Sequence, residues 1–320
     1  MNTLLRRTVY LVAGLALAST PVRSAPHAPA AVLTSCKGVV TVIQAGTAGA
    51  ASFGLPLGDG DEVKTGAGGE AEIMFAAGNW VQIGPNSSMK IKGRPGDATE
   101  KPADEAKAGG KSGNFEVVQT FLKLKSSDGT SSITGLRSGE KPSRLEPVSP
   151  GQGRVRANRP VFRWKSEDPS LELRLTIYAD RAEIWHTDVT GVTTLAYPAD
   201  APPLAPGRTY AWTLETTDPL VSPPLRTPAT FFEVLAPADA KMLDTDLSAL
   251  DANRPGPVTY HLTRASLFFD RGLVDDAIAE TESAVSADPE NDSLHTILSR
   301  LYAEAGRSRD ALAELEKAKP

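Results

Sequence analysis

Between Phe268 and Ala318 the chain repeats itself at a fixed interval. Phe268 and Tyr302, Gly272 and Gly306, Ala277 and Ala311, Ile278 and Leu312, Glu282 and Glu316, and Ala284 and Ala318 each lie 34 residues apart. The apolar positions recur at the helical period here, whereas upstream they alternate, so each copy is a pair of short helices with an apolar face to bury. Small Ala277 and Ala284 let helices approach closely, and Asp288-Pro289 ends one helix before the next begins.

Ala265, Phe268, Gly272, Ala277, Ala284 and Pro289, followed by Ser299, Tyr302, Gly306, Ala311 and Ala318, resemble the tetratricopeptide repeat pattern across Val258 to Lys319. The resemblance implies all-α helical hairpins over 258–320 that recruit a protein partner. Two repeats are fewer than an independent solenoid needs. Pairing with another chain, or docking on the preceding domain, would supply the missing contact. On that expectation Phe268, Phe269 and Tyr302 are less buried within their own repeats than in a long array.

Six runs upstream read as strands: Val161–Trp164, Leu171–Tyr178, Glu183–Thr187, Thr193–Tyr197, Tyr210–Glu215 and Thr230–Leu235. Their spacing suits an antiparallel sandwich over 154–236. Leu171, Leu173, Leu175 and Ile177 share one face, opposite Glu172, Arg174 and Thr176. The opening run Arg159-Pro-Val-Phe-Arg-Trp164 and the turn Leu204-Ala-Pro-Gly-Arg-Thr-Tyr-Ala-Trp212 resemble a fibronectin type III-like domain. Trp164, Trp185 and Trp212 read as core, with a carbohydrate-stacking platform as the alternative.

Lys37 to Lys92 alternates short β-type runs with glycine turns. Period-2 patterning puts Val63 and Thr65, Ala71, Ile73 and Phe75, Val81 and Ile83, and Met89 and Ile91 on one face of a meander. Gly60 and Gly66 fit turns needing positive φ, and Asp61 and Thr65 can hydrogen-bond turn amides. Asp59, Asp61 and Glu62 offer a calcium loop as an alternative, with fewer oxygen ligands than calcium takes. Gly38, Val40 and Val42, the segment Leu57 to Gly66, the Gly78-Asn79 turn and Pro85-Asn86-Ser87 resemble the FecR domain of bacterial envelope proteins. The resemblance implies an all-β domain over 32–140 and a role in periplasmic sensing. Within that span 94–114 has no large apolar residue and reads as a mobile insertion, while Phe115–Leu124 and Ser131–Arg137 read as further strands. Linkers are expected at 141–153 and 237–257.

The N-terminus reads as a secretion signal over 1–24: Arg6 and Arg7, an apolar core from Val9 to Ala18, and small residues at Val22-Arg-Ser24. Arg6-Arg7 also resembles a twin-arginine signal, although Leu5 stands where a polar residue belongs. Loss of Arg6, Arg7 and Arg23 takes the formal net charge from −5 to −8, which disfavours a nucleic-acid partner. No later segment is apolar enough to span a bilayer. Cys36 is the only cysteine, so an intramolecular disulfide is impossible. Leu33-Thr-Ser-Cys36 resembles a lipobox, but Pro21 to Pro29 separates it from the apolar core, and a buried thiol is the simpler expectation.

His27, His186, His261 and His295 are the whole histidine inventory, and His261 and His295 stand 34 apart, which points to a shared role in the repeats; a metal pair is the alternative. Glu70 and Glu72, and Asp275 and Asp276, read as solvated faces. No phosphate loop, dinucleotide fingerprint or Cys-x-x-Cys is present. The sequence therefore offers no catalytic, cofactor-binding or metal-binding residue, and binding is the expected activity: an exported, periplasmic, non-enzymatic envelope scaffold or sensor. Two other functions remain in view, a peptidoglycan or glycan binder and a hydrolase with an acid/base pair between domains.

Overall fold

The computed structural model describes residues 29–76, 80–92, 107–108, 115–126, 144–252 and 254–318. The expected signal, most of the 94–114 insertion and the Ser131–Arg137 run lie outside them. Sheets built mainly from antiparallel pairs come first, and a helical region closes the chain. In the N-terminal part, β1 (Ala31–Lys37), β4 (Pro56–Leu57), β6 (Glu70–Phe75), β7 (Trp80–Ile83) and β9 (Lys107–Ala108) form one sheet in the order β4-β1-β6-β7-β9. A second sheet has the order β3-β2-β5-β8 and is built from β2 (Val40–Gln44), β3 (Thr47–Ala50), β5 (Glu62–Thr65) and β8 (Ser88–Lys90).

Leu33, Val42, Leu57, Val63, Ile73 and Ile83 meet in the core associated with these sheets. The single meander expected from the sequence is therefore corrected: β5 and β6 are consecutive in the chain but belong to different sheets. Gly38 fixes a close crossing, since its φ is +64° and a Cβ there would stand 2.7 Å from the Gly68 carbonyl oxygen. Gly60 has the positive φ its turn requires. Gly66 does not; a Cβ there would press on Val39 at 3.2 Å, so its smallness serves packing.

Phe115–Leu122 is helix α1, followed by a 3-10 turn over Lys123–Ser126, and not the strand its composition suggested. Val118, Phe121 and Leu122 are spaced i, i+3, i+4 and all are buried, so the helical period is the one that finds partners.

The middle of the chain packs two further sheets. β10 (Leu145–Ser149), β12 (Val161–Ser166) and β15 (Thr194–Ala196) form one. β11 (Gly153–Val155), β17 (Thr230–Val234), β16 (Thr209–Thr216), β13 (Leu173–Ala179) and β14 (Ala182–Val189) form the other, in the order β11-β17-β16-β13-β14. The expected strands all form here, and Phe162, Trp212 and Phe232 pack edge-to-face at their centre. The expected linker 141–153 is corrected, because it supplies β10, whose Leu145 is buried, and the start of β11, which pairs in parallel with β17.

The expected linker 237–257 is likewise mostly helix α2 (Pro237–Ala252), which buries Leu243, Leu247 and Leu250 at i, i+4, i+7. Helices α3 (Pro257–Asp270), α4 (Val274–Ala287), α5 (Asp292–Glu304) and α6 (Ser308–Lys317) follow as two hairpins. Their core is not their own. Leu262, Leu267, Phe268 and Leu301 cluster with Val32, Phe53 and Met74 from the N-terminal part, with Val118 and Phe121 of α1, and with Leu235 just after β17. The sheet containing β6 is thus covered on both faces, with Ile73 turned to the sheet core and Met74 to the helices. The helices and the N-terminal sheets thus share one core across the expected linker 237–257. Phe268 and Tyr302 are only 2% and 7% exposed, and part of the cover over this cluster comes from outside the repeats.

Candidate binding surfaces

Helix α3 has no side-chain cap of its own: Gly256 sits at the N-cap and Pro257 follows. Its cap comes from strand β6. The Gly256 N–H donates to Glu72 Oε1 at 2.8 Å, the Thr259 hydroxyl bonds Glu72 Oε2, and Thr34 Oγ1 bonds the Glu72 carbonyl oxygen at 3.3 Å. A carboxylate is favourable at a helix N-terminus, where free N–H groups carry partial positive charge. A Cβ on Gly256 would fall 2.7 Å from Glu72 Oε1, so the approach depends on glycine. Glu72 is 3% exposed, which corrects its expected place on a solvated face.

Asp275 departs from the same expectation. Its Oδ2 accepts bonds from Ser149 Oγ at 2.8 Å and Gly151 N at 3.0 Å, tying the β10–β11 turn to the start of α4. Burial pushes the carboxyl of neighbouring Asp276 above its ordinary value. Lys165 Nζ reaches Asp310 Oδ1 at 2.8 Å, and Arg307 reaches Asp310 Oδ2 at 2.8 Å. Burial alone would raise the Asp310 carboxyl, but the Lys165 and Arg307 bonds outweigh it and hold it below the ordinary value.

The repeat-equivalent histidines make repeat-equivalent clasps. His261 Nδ1 meets Glu280 Oε2 at 2.8 Å within the first hairpin, and His295 Nδ1 meets Glu314 Oε2 at 2.7 Å within the second. His295 Nε2 also faces the Pro289 carbonyl oxygen at 2.9 Å, so both of its ring nitrogens meet acceptors. Tyr302 bonds Glu282 across the hairpins at 2.5 Å, and burial pushes its phenol above the ordinary value.

His27 and the Gly78-Asn79 turn lie outside the described residues, and other sequence candidates have structural places. Asp61 Oδ2 accepts from Gly58 N and Gln44 Nε2, both at 2.8 Å, and Thr65 Oγ1 accepts from Ser87 N at 2.9 Å. Trp164 and Trp212 are buried, and half-buried Trp185 packs edge-on against Tyr197, so these rings do not form an exposed platform. His186 is an exposed strand residue beside Glu183. Cys36 pairs with Ala71 inside the β1–β6 ladder. Among the described residues no group of three or more His, Cys, Asp or Glu side chains could hold a metal ion, and no helix is long and apolar enough to cross a membrane.

The two hairpins differ on one face. Ile278 and Thr281 of α4 are buried at 2% and 0% exposure, whereas Leu312 and Leu315, their counterparts 34 residues on in α6, are only partly buried. Sequence reasoning could register the equivalence of these positions but not their difference in cover. Comparison of the chain with protein-family models and with curated proteins finds no match to either.

Proposed function

We propose that the chain is an exported, non-enzymatic scaffold or sensor of the bacterial cell envelope that binds a protein partner through the outer face of α6. In this proposal the N-terminal sheets are a FecR-like domain, the middle sheets a fibronectin type III-like sandwich and the helices two tetratricopeptide repeats, as the sequence resemblances imply. Export rests on the signal-like segment over 1–24.

The observation that carries the binding role is the pair Leu312 and Leu315. In the first hairpin the equivalent positions are closed over; in the second they remain partly open, at the end of a stack whose other side is occupied by α1, α2 and the β6 sheet. Apolar helix positions of this kind are where another helix packs. Removing 258–320 is no test of this role, because it would open the core shared with the N-terminal part. A photoreactive residue at Leu312, in the full-length protein in cells, is the suitable probe. The expected result is a discrete crosslinked protein that disappears when Leu315→Glu is added and is not formed from a probe at exposed Ser286. Equal labelling from both positions would count against the proposal.

A further inference from the structure

We propose that the outward face of the β11-β17-β16-β13-β14 sheet is a carbohydrate site, and that the sugar it takes carries a carboxylate. Tyr178 of β13 stands opposite Ala211 of β16, and Ala211 stands opposite Phe231 of β17. Two aromatic residues therefore flank an alanine in one row across three adjacent strands. Phe231 is 57% exposed, while its neighbour Phe232 turns into the core.

Strands lie about 4.8 Å apart, so the two aromatic positions are separated by roughly 10 Å. A saturated ring touching an aromatic surface on each side needs about 7–8 Å, from two van der Waals contacts. Ala211 keeps the floor low, and Thr213 and Ala229 extend it into a trough of about 410 Å³, within the size range of ligand sites. Apolar walls above a small-residue floor suit the C–H faces of a sugar ring, and polar lining side chains suit its hydroxyls.

Asp180, Arg181 and Arg226 also line the trough. Asp180 is held by Arg208 at 2.5 Å, and Arg226 lies 3.7 Å from Glu215. Arg181 has no ionic or hydrogen-bonding partner among the described residues, so it is available to a carboxylate, for which guanidinium is the fitting donor. Guanidinium groups outnumber carboxylates here although the whole chain carries a net charge of −5. Asp180 and Arg181 are also the two-residue turn between β13 and β14, with φ of +50° and +68°. Turns of this shape favour Asn-Gly or Asp-Gly. An arginine held in the left-handed region is strain located beside a cavity.

The site does not depend on the partner face of α6. Calorimetric titration of the full-length protein should use the disaccharide of N-acetylglucosamine and N-acetylmuramic acid, which bears a carboxylate, and chitobiose, which is similar in size and neutral. The expected result is binding of the acidic disaccharide at least tenfold tighter than chitobiose. Phe231→Ala should weaken it tenfold or more. Arg181→Gly should erase the preference for the acidic sugar while the variant melts no lower than wild type, since glycine relieves the turn. Absence of binding by either sugar, equal affinity for both, or unchanged affinity in Phe231→Ala would overturn the proposal. So would occupation of the trough by a proline-rich peptide with no sugar binding.

Discussion

Substituting Phe121 by alanine perturbs the N-terminal part of the chain, yet its effect should be read in the C-terminal helices. Phe121 is 1% exposed, and its ring packs edge-to-face on Phe269 of α3 with centroids 5.6 Å apart. Truncating a buried phenylalanine to alanine costs about 3–5 kcal/mol, from lost transfer energy and the cavity left behind. With a urea dependence of about 2 kcal/mol per molar, the midpoint should fall by roughly 2 M. The assay is urea unfolding followed by far-ultraviolet ellipticity, which reports mainly on the helices. If α1 fills a place that further repeats would fill in a longer stack, the helical transition moves with the mutation and stays a single step. A helical transition within about 0.5 M of wild type, with the loss confined to a separate earlier step, would refute the reasoning.

Further outcomes follow from named contacts. Glu72→Gln should cost about 1–2 kcal/mol by weakening the cap on α3, and Glu72→Ala should cost more because Thr259 and the Gly256 N–H lose their acceptor; thermal melts of both variants check the order. Asp310 has its folded-state carboxyl below the ordinary value of 3.8. Its contribution is therefore present above that value and lost as pH falls through the lower, folded-state one. The melting difference between wild type and Asp310→Asn should accordingly be largest near neutrality and close in acid, with pH-resolved thermal melts as the check. Intact-mass measurement of the membrane fraction should show no diacylglycerol adduct on Cys36, since processing at that residue would remove Ala31 and Leu33 from the sheet core.

Much of the architecture could be read from periodicity, because alternation in the strands between β12 and β17 and the 34-residue interval are local properties of the chain. Leu173, Leu175 and Ile177 turn inward as their spacing requires, and α4 ends at Ala287, before Asp288-Pro289. What escaped the sequence depends on distant partners. Phe115–Leu122 is short and apolar enough to satisfy either period, and only Phe269 and the helices around it select the helical one. Glu72 looks like a solvent-facing strand residue until Gly256 and Thr259, more than 180 residues away, are placed against it. The trough was hidden for a related reason. Tyr178, Ala211 and Phe231 become neighbours only through the strand order, and the tryptophans that drew notice are on the buried side.

Native-state hydrogen exchange tests most directly whether the β6 sheet and the repeats form one cooperative structure. Amides of Ile73 and Met74 in β6 and of Leu262 and Leu267 in α3 should open with the same free energy, within about 0.5 kcal/mol, and respond alike to denaturant. Opening of the α3 amides at a free energy about 2 kcal/mol or more below that of β6, with a separate denaturant dependence, would contradict the shared core.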